Sequence, residues 1–294
     1  MDALEDSVVQ RIFSFTDIAT LLLRCRPLSR RMLSVADQEV QHRITAVFAW
    51  VATDVSAMRD CFRLNRAFVG GSLSLTLFSP LLVVPSNADI FVPQSKNTAL
   101  VHHLIHLEGY TLVTVSAVSP VAMIPNNALN DGTIDVYGAG LITHTVLSRG
   151  AIIVQVFTFD DPYPMSLTPD TITLSWTTAL FNFVAADFAG CAYPTLTTKG
   201  RGLYHAGRFL SAMPGTGSDH KLNAYCELGF EFSQHPNWWF EPIYLRCQRG
   251  TNCPFVLRRF GDGGTLLLPA DSGPPNPFGR QWMFGGTSED IHLS

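Results

Sequence analysis

Gly70, Gly71 and Ser72 follow a short apolar run of Ala67, Phe68 and Val69, and they precede a segment of helical potential from Leu73 to Phe78. That order predicts a strand, a tight turn and a helix. Glycines at such a turn let backbone N–H groups close on an anion at the helix N-terminus, where the helix dipole also favours negative charge. Asp89 opens a second predicted strand, Ile90 to Val92. A carboxylate beside a phosphate cradle can hold Mg2+ that bridges the phosphates of a nucleoside triphosphate. Arg149, Lys199 and Arg201 are the basic residues that would add phosphate-contacting charge. The same residues have an ordinary use as well. Gly-Gly-Ser is a frequent turn sequence, and Asn87-Ala88-Asp89 can simply start a strand.

Gly-Gly-Ser, with Asn87-Ala88-Asp89 standing where a spaced pair of acids would come, resembles the nucleotidyltransferase fold, the polymerase-beta-like superfamily. In that family the Gly-Ser turn binds the triphosphate. Two acids one residue apart, with a third on a later strand, hold two metal ions. The resemblance gives Gly70, Gly71 and Ser72 the turn, and it gives Asp89 the second acid, the catalytic and Mg2+-holding carboxylate of an active enzyme. The first acid position is Asn87. The third falls within Ile152 to Phe157, where Gln155 is the polar residue. Amide oxygens do not offset a divalent charge as carboxylates do. The resemblance therefore implies a nucleotide-binding turn of Gly70, Gly71, Ser72, Asn87, Gln155 and Arg149 from which transferase chemistry has been lost.

Several elements must position these residues. Leu100, Leu104 and Leu107 recur at helical spacing within Thr98 to Leu107. Ile134 to Leu147 and Ala151 to Phe159 read as two strands joined by a turn at Ser148-Arg149-Gly150. A helix is predicted over Thr171 to Ala186. Gly109 to Asn130 is long and uncharged, but its alternating Leu112, Val113, Val115 and Val118, with Pro120 and Pro125, predict buried strands. A membrane span would want about 20 mainly apolar residues.

The N-terminus carries a second pattern. Leu4, Val8, Val9, Ile12, Phe13 and Phe15 fall at helical spacing, Asp17 is placed to cap a helix holding Leu21, Leu22 and Leu23, and a third helical run extends through Ile44. With Leu28-Ser29-Arg30-Arg31, this arrangement resembles the F-box, a three-helix module that docks onto the Skp subunit of cullin-type ubiquitin ligases. The resemblance implies partner contact through Leu4, Val8, Ile12, Phe13, Leu22 and Leu28. Glu5 stands at the family's proline position, and the family's tryptophan near the end is missing. The run from Phe68 to Tyr204, with its compact stretch from Cys191 to Gly202, is similar to fungal proteins that pair a nucleotidyltransferase-like core with F-box-like helices.

Composition bounds the rest. Hydrophobic residues make up 47% and charged residues 15% of the 294, which excludes a disordered or coiled-coil chain. A net charge of −4 provides no global basic field, which argues against nucleic acid as a partner. Asp2, Glu5, Asp6 and Arg11 break up the first residues, so no secretory signal is read and a cytoplasmic or nuclear location is expected. The six cysteines are scattered, and Cys247 and Cys253 are spaced too widely for a zinc knuckle. His102, His103 and His106 read as one face of a helix rather than a metal site.

From about Met213 the chain is rich in Gly and Pro and carries Trp238-Trp239-Phe240. Phe255 to Leu257 and Thr265 to Leu268 flank a predicted hairpin turn at Gly261-Asp262-Gly263-Gly264. The sequence thus predicts an α/β (α+β) protein in three parts. Residues 1–45 form a small F-box-like helical segment. Residues 46–212 form a mixed-sheet nucleotidyltransferase-like core, and residues 213–294 form an extension packed on it. The expected function is a catalytically degenerate binding or substrate-recognition module, with a Skp-type adaptor as the partner that the resemblance implies and with no certain cofactor. One alternative is an active enzyme using Mg2+ with a nucleoside triphosphate, Asp89 and a further acid such as Asp135 or Asp160. Another is a purely structural or interaction protein.

Overall fold

The computed structural model describes residues 4–79, 81, 85–117, 141–159, 172, 175–204, 217–234, 239, 256–268, 282–284 and 286–287. The first helix, α1 (Asp6–Phe13), buries Val9 and Phe13, one turn apart, and leaves Val8 and Ile12 on its outer side. Asp17 caps the next segment as the sequence predicts, accepting a hydrogen bond from the Thr20 N–H at 2.9 Å. This segment, α2 (Ile18–Thr20), passes through a π turn over Leu21–Cys25 and a 3-10 turn over Arg26–Leu28. The Ser29 hydroxyl then caps α3 (Arg30–Val51) by accepting from the Met32 N–H at 3.1 Å.

The third helix is longer than the sequence suggests. It runs 22 residues, and its apolar stripe continues past Ile44 through Val47, Phe48 and Val51. Residue 45, where the helical segment was expected to end, therefore lies inside α3. Arg43 of α3 donates to the Phe13 and Thr16 carbonyls at 2.7 and 2.8 Å and pairs with buried Glu39 at 2.8 Å, which ties α1 to α3. Helix α4 (Val55–Asn65) follows, capped by Asp54.

Among the described residues the main sheet has eight strands. They are β1 (Phe68–Gly70), β2 (Ala88–Pro93), β3 (Thr111–Ala117), β4 (Leu141–Arg149), β5 (Ile152–Phe159), β6 (Asn182–Ala185), β7 (Ala189–Cys191) and β10 (Leu266–Leu268), in the spatial order β10-β7-β6-β1-β2-β5-β4-β3. All neighbours are antiparallel except β2 and β5, which run parallel. Helix α5 (Gly71–Phe78) springs directly from β1, and α6 (Gln94–His106) from β2. A parallel pair needs a crossover, and here α6 and the strands β3 and β4 lie between β2 and β5 in the chain. A short α7 (Pro194–Thr197) precedes β8 (Arg201–Leu203), which pairs in parallel with β9 (Glu231–Ser233). Helix α8 (Gly217–Glu227) leads into β9, and β11 (Trp282–Met283) pairs with β12 (Gly286–Thr287).

Alternation along the strands separates two cores. Val69, Ile90, Val92, Val154, Val156 and Leu147 face one side, in a cluster that also contains Val9, Phe13, Ile44, Phe48, Phe62 and Leu100 of the helices. The N-terminal helices and the sheet thus share a single core. Phe68, Phe91, Phe157, Phe159 and Phe183 face the other side, packed with Trp176, Phe181, Tyr193 and Phe230.

Three expectations need correction. The helix predicted over 171–186 does not form among its described residues. Thr178–Leu180 is a 3-10 turn and Asn182–Ala185 is β6, beside β1 and buried on both faces. A strand covered on both sides loses the alternation that marks it in sequence, and its apolar run mimics a buried helix. Leu266–Leu268, the second half of the predicted hairpin, pairs with β7, while Phe255 of its first half lies outside the described residues; Asp262 organises the turn between them by accepting from Arg258 and the Gly264 N–H. Third, β3 is a strand as predicted, but all seven of its residues are exposed. The part of the first predicted hairpin strand before Leu141, Asp135, Asp160, Asp161, Cys247 and Cys253 lie outside the described residues.

Candidate functional site

Backbone register gathers the residues singled out at the Gly-Gly-Ser turn into two rows on the aromatic face of the sheet. In the first row Phe68 of β1 lies opposite Phe91 of β2, Phe91 opposite Phe157 of β5, and Phe157 opposite His144 of β4. Their rings stack in sequence, with centroids 5.1, 5.4 and 4.8 Å apart. Burying each phenyl ring contributes about 2 kcal/mol, so this row is a stiff floor spanning four strands.

The second row runs parallel to it, two residues along each strand. Gly70 is opposite Asp89, and Asp89 is opposite Gln155. The third-acid position inferred from the resemblance is therefore occupied by an amide directly beside the Asp89 carboxylate. Asn87 Nδ2 donates to Asp89 Oδ1, and Asn87 Oδ1 accepts from Ser86 Oγ at 3.1 Å. His144 Nε2 lies 3.0 Å from Gln155 Oε1, a bond in which the carbonyl oxygen accepts and the ring nitrogen carries the hydrogen. Buried His144 thus couples the two rows.

The turn itself has the geometry its glycines predict. Gly71 adopts φ +62°, the left-handed region that costs an L-residue, and a Cβ there would overlap Asp89 Oδ2. A Cβ on Gly70 would meet the Phe91 ring. The Asp89 carboxylate therefore rests against the first residue of α5, where the helix dipole favours a negative charge. Ser74, one turn in, donates to the Gly71 and Asn182 carbonyls at 2.9 Å each and pins the turn to β6.

A residue remote in sequence completes this group. Ser72 hydrogen-bonds the Tyr225 hydroxyl, which also lies in the field of Asp89. Burial pushes the Tyr225 hydroxyl well above the ordinary tyrosine range, and the Asp89 charge adds to the rise. Tyr225 sits on α8 in the C-terminal extension, and its ring contacts Phe230, Trp176 and Phe232 with centroids 5.7, 6.2 and 6.3 Å away. Sequence reading misses both His144 and Tyr225. His144 has no signal without the β4–β5 register, and Tyr225 has none without the path of the chain after β8.

A two-ion magnesium centre does not fit this donor set. One carboxylate stands where three would be needed to balance two divalent ions, and the amides of Asn87 and Gln155 are engaged with Asp89, Ser86 and His144. Among the described residues there is also no group of three or more His, Cys, Asp or Glu side chains that could hold a metal. His102 and His106 lie one turn apart on α6 with ring centroids 4.2 Å apart and tilted by 42°, while His103 turns toward buried Glu108, 4.0 Å away.

Arg149 does not belong to the site. By strand alternation it lies on the helical face, opposite to Gln155. Its guanidinium pairs with buried Glu108 at 3.1 Å, donates to the Glu108 and Val51 carbonyls at 2.8 and 3.2 Å, and covers the Tyr110 ring at 4.6 Å. Arg201 is likewise engaged, with Glu231 at 3.1 Å and over the Trp239 ring, and Lys199 is an exposed turn residue.

The N-terminal residues divide into two sets. Phe13 is 5% exposed and belongs to the core, and Leu22 packs partly against it. Leu4, Val8, Ile12 and Leu28 point outward, with Ile12 52% exposed, and Phe15 and Leu23 are exposed as well. Val8 and Ile12 are spaced four apart and share one outer face of α1, and Leu4 stands just before the helix's N-cap residue Glu5.

Comparison of the chain with protein-family models, with curated proteins and with solved structures finds no match. Among the described residues no helix is long and apolar enough to cross a membrane.

Proposed function

We propose that this protein is a binding or recognition module built on a nucleotidyltransferase-like sheet that carries out no nucleotidyl transfer. The observation that carries the reading is the Asp89–Gln155 register, which sets an amide beside the carboxylate where a metal-dependent transferase requires a second charge. Asn87 supports the same reading, because its amide donates to Asp89 instead of contributing charge. The test is incorporation of each labelled nucleoside triphosphate by purified protein with Mg2+. The expected result is no product from any of the four. Product that disappears on Asp89→Ala would overturn the reading in favour of an active transferase.

The outward stripe on α1 supports a docking role for the N-terminal helices, with a Skp-type adaptor as the partner. Leu4, Val8, Ile12 and Leu28 remain available while Val9 and Phe13 hold the core. Buried apolar anchors typically dominate such contacts, and truncating one costs 2 kcal/mol or more, about a 30-fold loss of affinity. Capture of the Skp subunit by wild-type protein should fall by roughly that factor on Ile12→Asp, while the melting temperature stays put. Equal capture by both proteins, or none by wild type, would leave the helices with a purely structural role.

A further inference from the structure

We propose that His102 and His106 form a two-imidazole site for a divalent transition-metal ion of the Ni2+ or Cu2+ type on the outer face of α6. The site is separate from the Gly-Gly-Ser turn and does not depend on how that turn is read. The two rings lie one helical turn apart, both exposed, with centroids 4.2 Å apart and planes tilted by 42°. Neutral imidazole is a favoured donor for these ions.

The fold holds the pair in place. Leu100 and Leu104 are fully buried and fasten α6 to the core. Each histidine stands two residues after one of these leucines, about 200° around the helix, so packing the leucines inward turns the imidazoles to solvent. The last turn is closed by the Leu107 and Glu108 N–H groups, which donate to the His103 carbonyl at 2.9 and 3.2 Å. His106 is the final residue of the helix, and the negative end of the helix dipole there favours a cation. His103 is not a third ligand, because its side chain turns inward with Nε2 4.0 Å from Oε1 of buried Glu108.

The separation of the rings selects the ion. An ion about 2.1 Å from one nitrogen of each imidazole sits roughly 3.2 Å from each ring centre. Centres 4.2 Å apart then subtend about 80° at the ion, near the angle of about 90° between adjacent positions of a square or octahedral shell. A tetrahedral pair would need centres roughly 5.2 Å apart. Rotation about the Cβ–Cγ bond turns each nitrogen toward the ion and leaves the ring centre nearly in place. The pair thus supplies two adjacent corners of a tetragonal shell, which suits Ni2+ and Cu2+ better than Zn2+, and water fills the others.

The probe is Ni2+, titrated calorimetrically into the full chain. Wild type should bind an ion whose affinity falls by about 100-fold on either His102→Gln or His106→Gln, because losing one donor removes the intramolecular second bond. Both side chains are exposed, so each variant should melt at the wild-type temperature, and His42→Gln, at an exposed position on α3, should bind as wild type does. The same two substitutions should weaken Zn2+ binding less. No Ni2+ binding by wild type, or binding that neither substitution weakens, would overturn the proposal. Loss on only one of the two, or an equal loss on His42→Gln, would assign the ion to other donors and overturn it as well. A larger loss for Zn2+ than for Ni2+ would overturn the adjacent-corner geometry.

Discussion

Gly71 is the residue at which the constraints on the turn meet. Its left-handed backbone costs an alanine about 1–2 kcal/mol in itself. The overlap with Asp89 adds a second, separable cost, because a packed carboxylate can yield only by leaving its place against α5. Gly71→Ala should therefore destabilise the protein by roughly 2–4 kcal/mol in chemical denaturation. In an Asp89→Ala background the same change should cost only about 1–2 kcal/mol, since the overlap is gone and the backbone strain stays. Equal costs in the two backgrounds would mean that the carboxylate and the glycine do not share space. The glycines, Ser72 and Asp89 were legible in sequence because strand, turn, helix and strand are consecutive, and their chemistry depends on neighbours a few residues away. His144 and Tyr225 were not, because each reaches the site through a pairing or packing partner far along the chain.

Among the elements, the ends of α3, α6 and β4 are joined by one buried ion pair. The Glu108 carboxylate accepts from the Thr53 N–H and hydroxyl at 2.6 and 2.8 Å and from Arg149, while the Tyr110 hydroxyl donates to the Val51 carbonyl at 2.7 Å. Removing one partner of such a pair strands the other without compensation, at a cost of about 3–5 kcal/mol. Arg149→Met should lower stability by that amount and leave ligand behaviour at the Gly-Gly-Ser turn unchanged. A loss below about 1 kcal/mol would mean that the pair is screened as at a surface. The sequence placed Arg149 in a turn with a role toward phosphate, because a basic residue beside a glycine reads as a loop cation. Strand parity, which needs the start of β4 to be known, sends it to the other face. The misreading of 171–186 has a similar origin, since β6 is apolar in both directions and only its place between β1 and β7 identifies it as a strand.

On the scale of the whole molecule, the helical N-terminus and the sheet are one folding unit. The stripe of α3 passes from Met32 to Val51 without interruption, and its residues lie in one cluster with Val69, Val92 and Val156 of the sheet. A chain beginning at residue 46 would lose Val9, Phe13, Ile18, Leu21 and the first four turns of α3 from that cluster. At about 1.5–3 kcal/mol for each large apolar side chain, the loss exceeds the 5–15 kcal/mol stability of an ordinary domain. Deletion of residues 1–45 should therefore abolish the cooperative thermal transition. Retention of a sharp transition would show that the N-terminal helical segment is separable after all. The mixed α/β class and the strand-to-helix order around the turn were legible beforehand. The core that the N-terminal helices share with one face of the sheet is not legible, because a boundary at residue 45 follows a motif length and not the apolar period that runs through it.

The exposed edge strand β3 also sets a pattern in time. In an antiparallel edge strand, successive N–H groups point alternately toward the neighbour and away from it. Those directed at β4 are held by the ladder, while those directed outward meet no described strand. Protection against deuterium exchange reports the free energy of opening each amide. Residues 111–117 should accordingly take up deuterium as a comb, fast and slow at every second position. The register shift between Leu112 and Thr114 displaces that comb by one residue, so the bulge is written in minutes and hours as well as in ångströms.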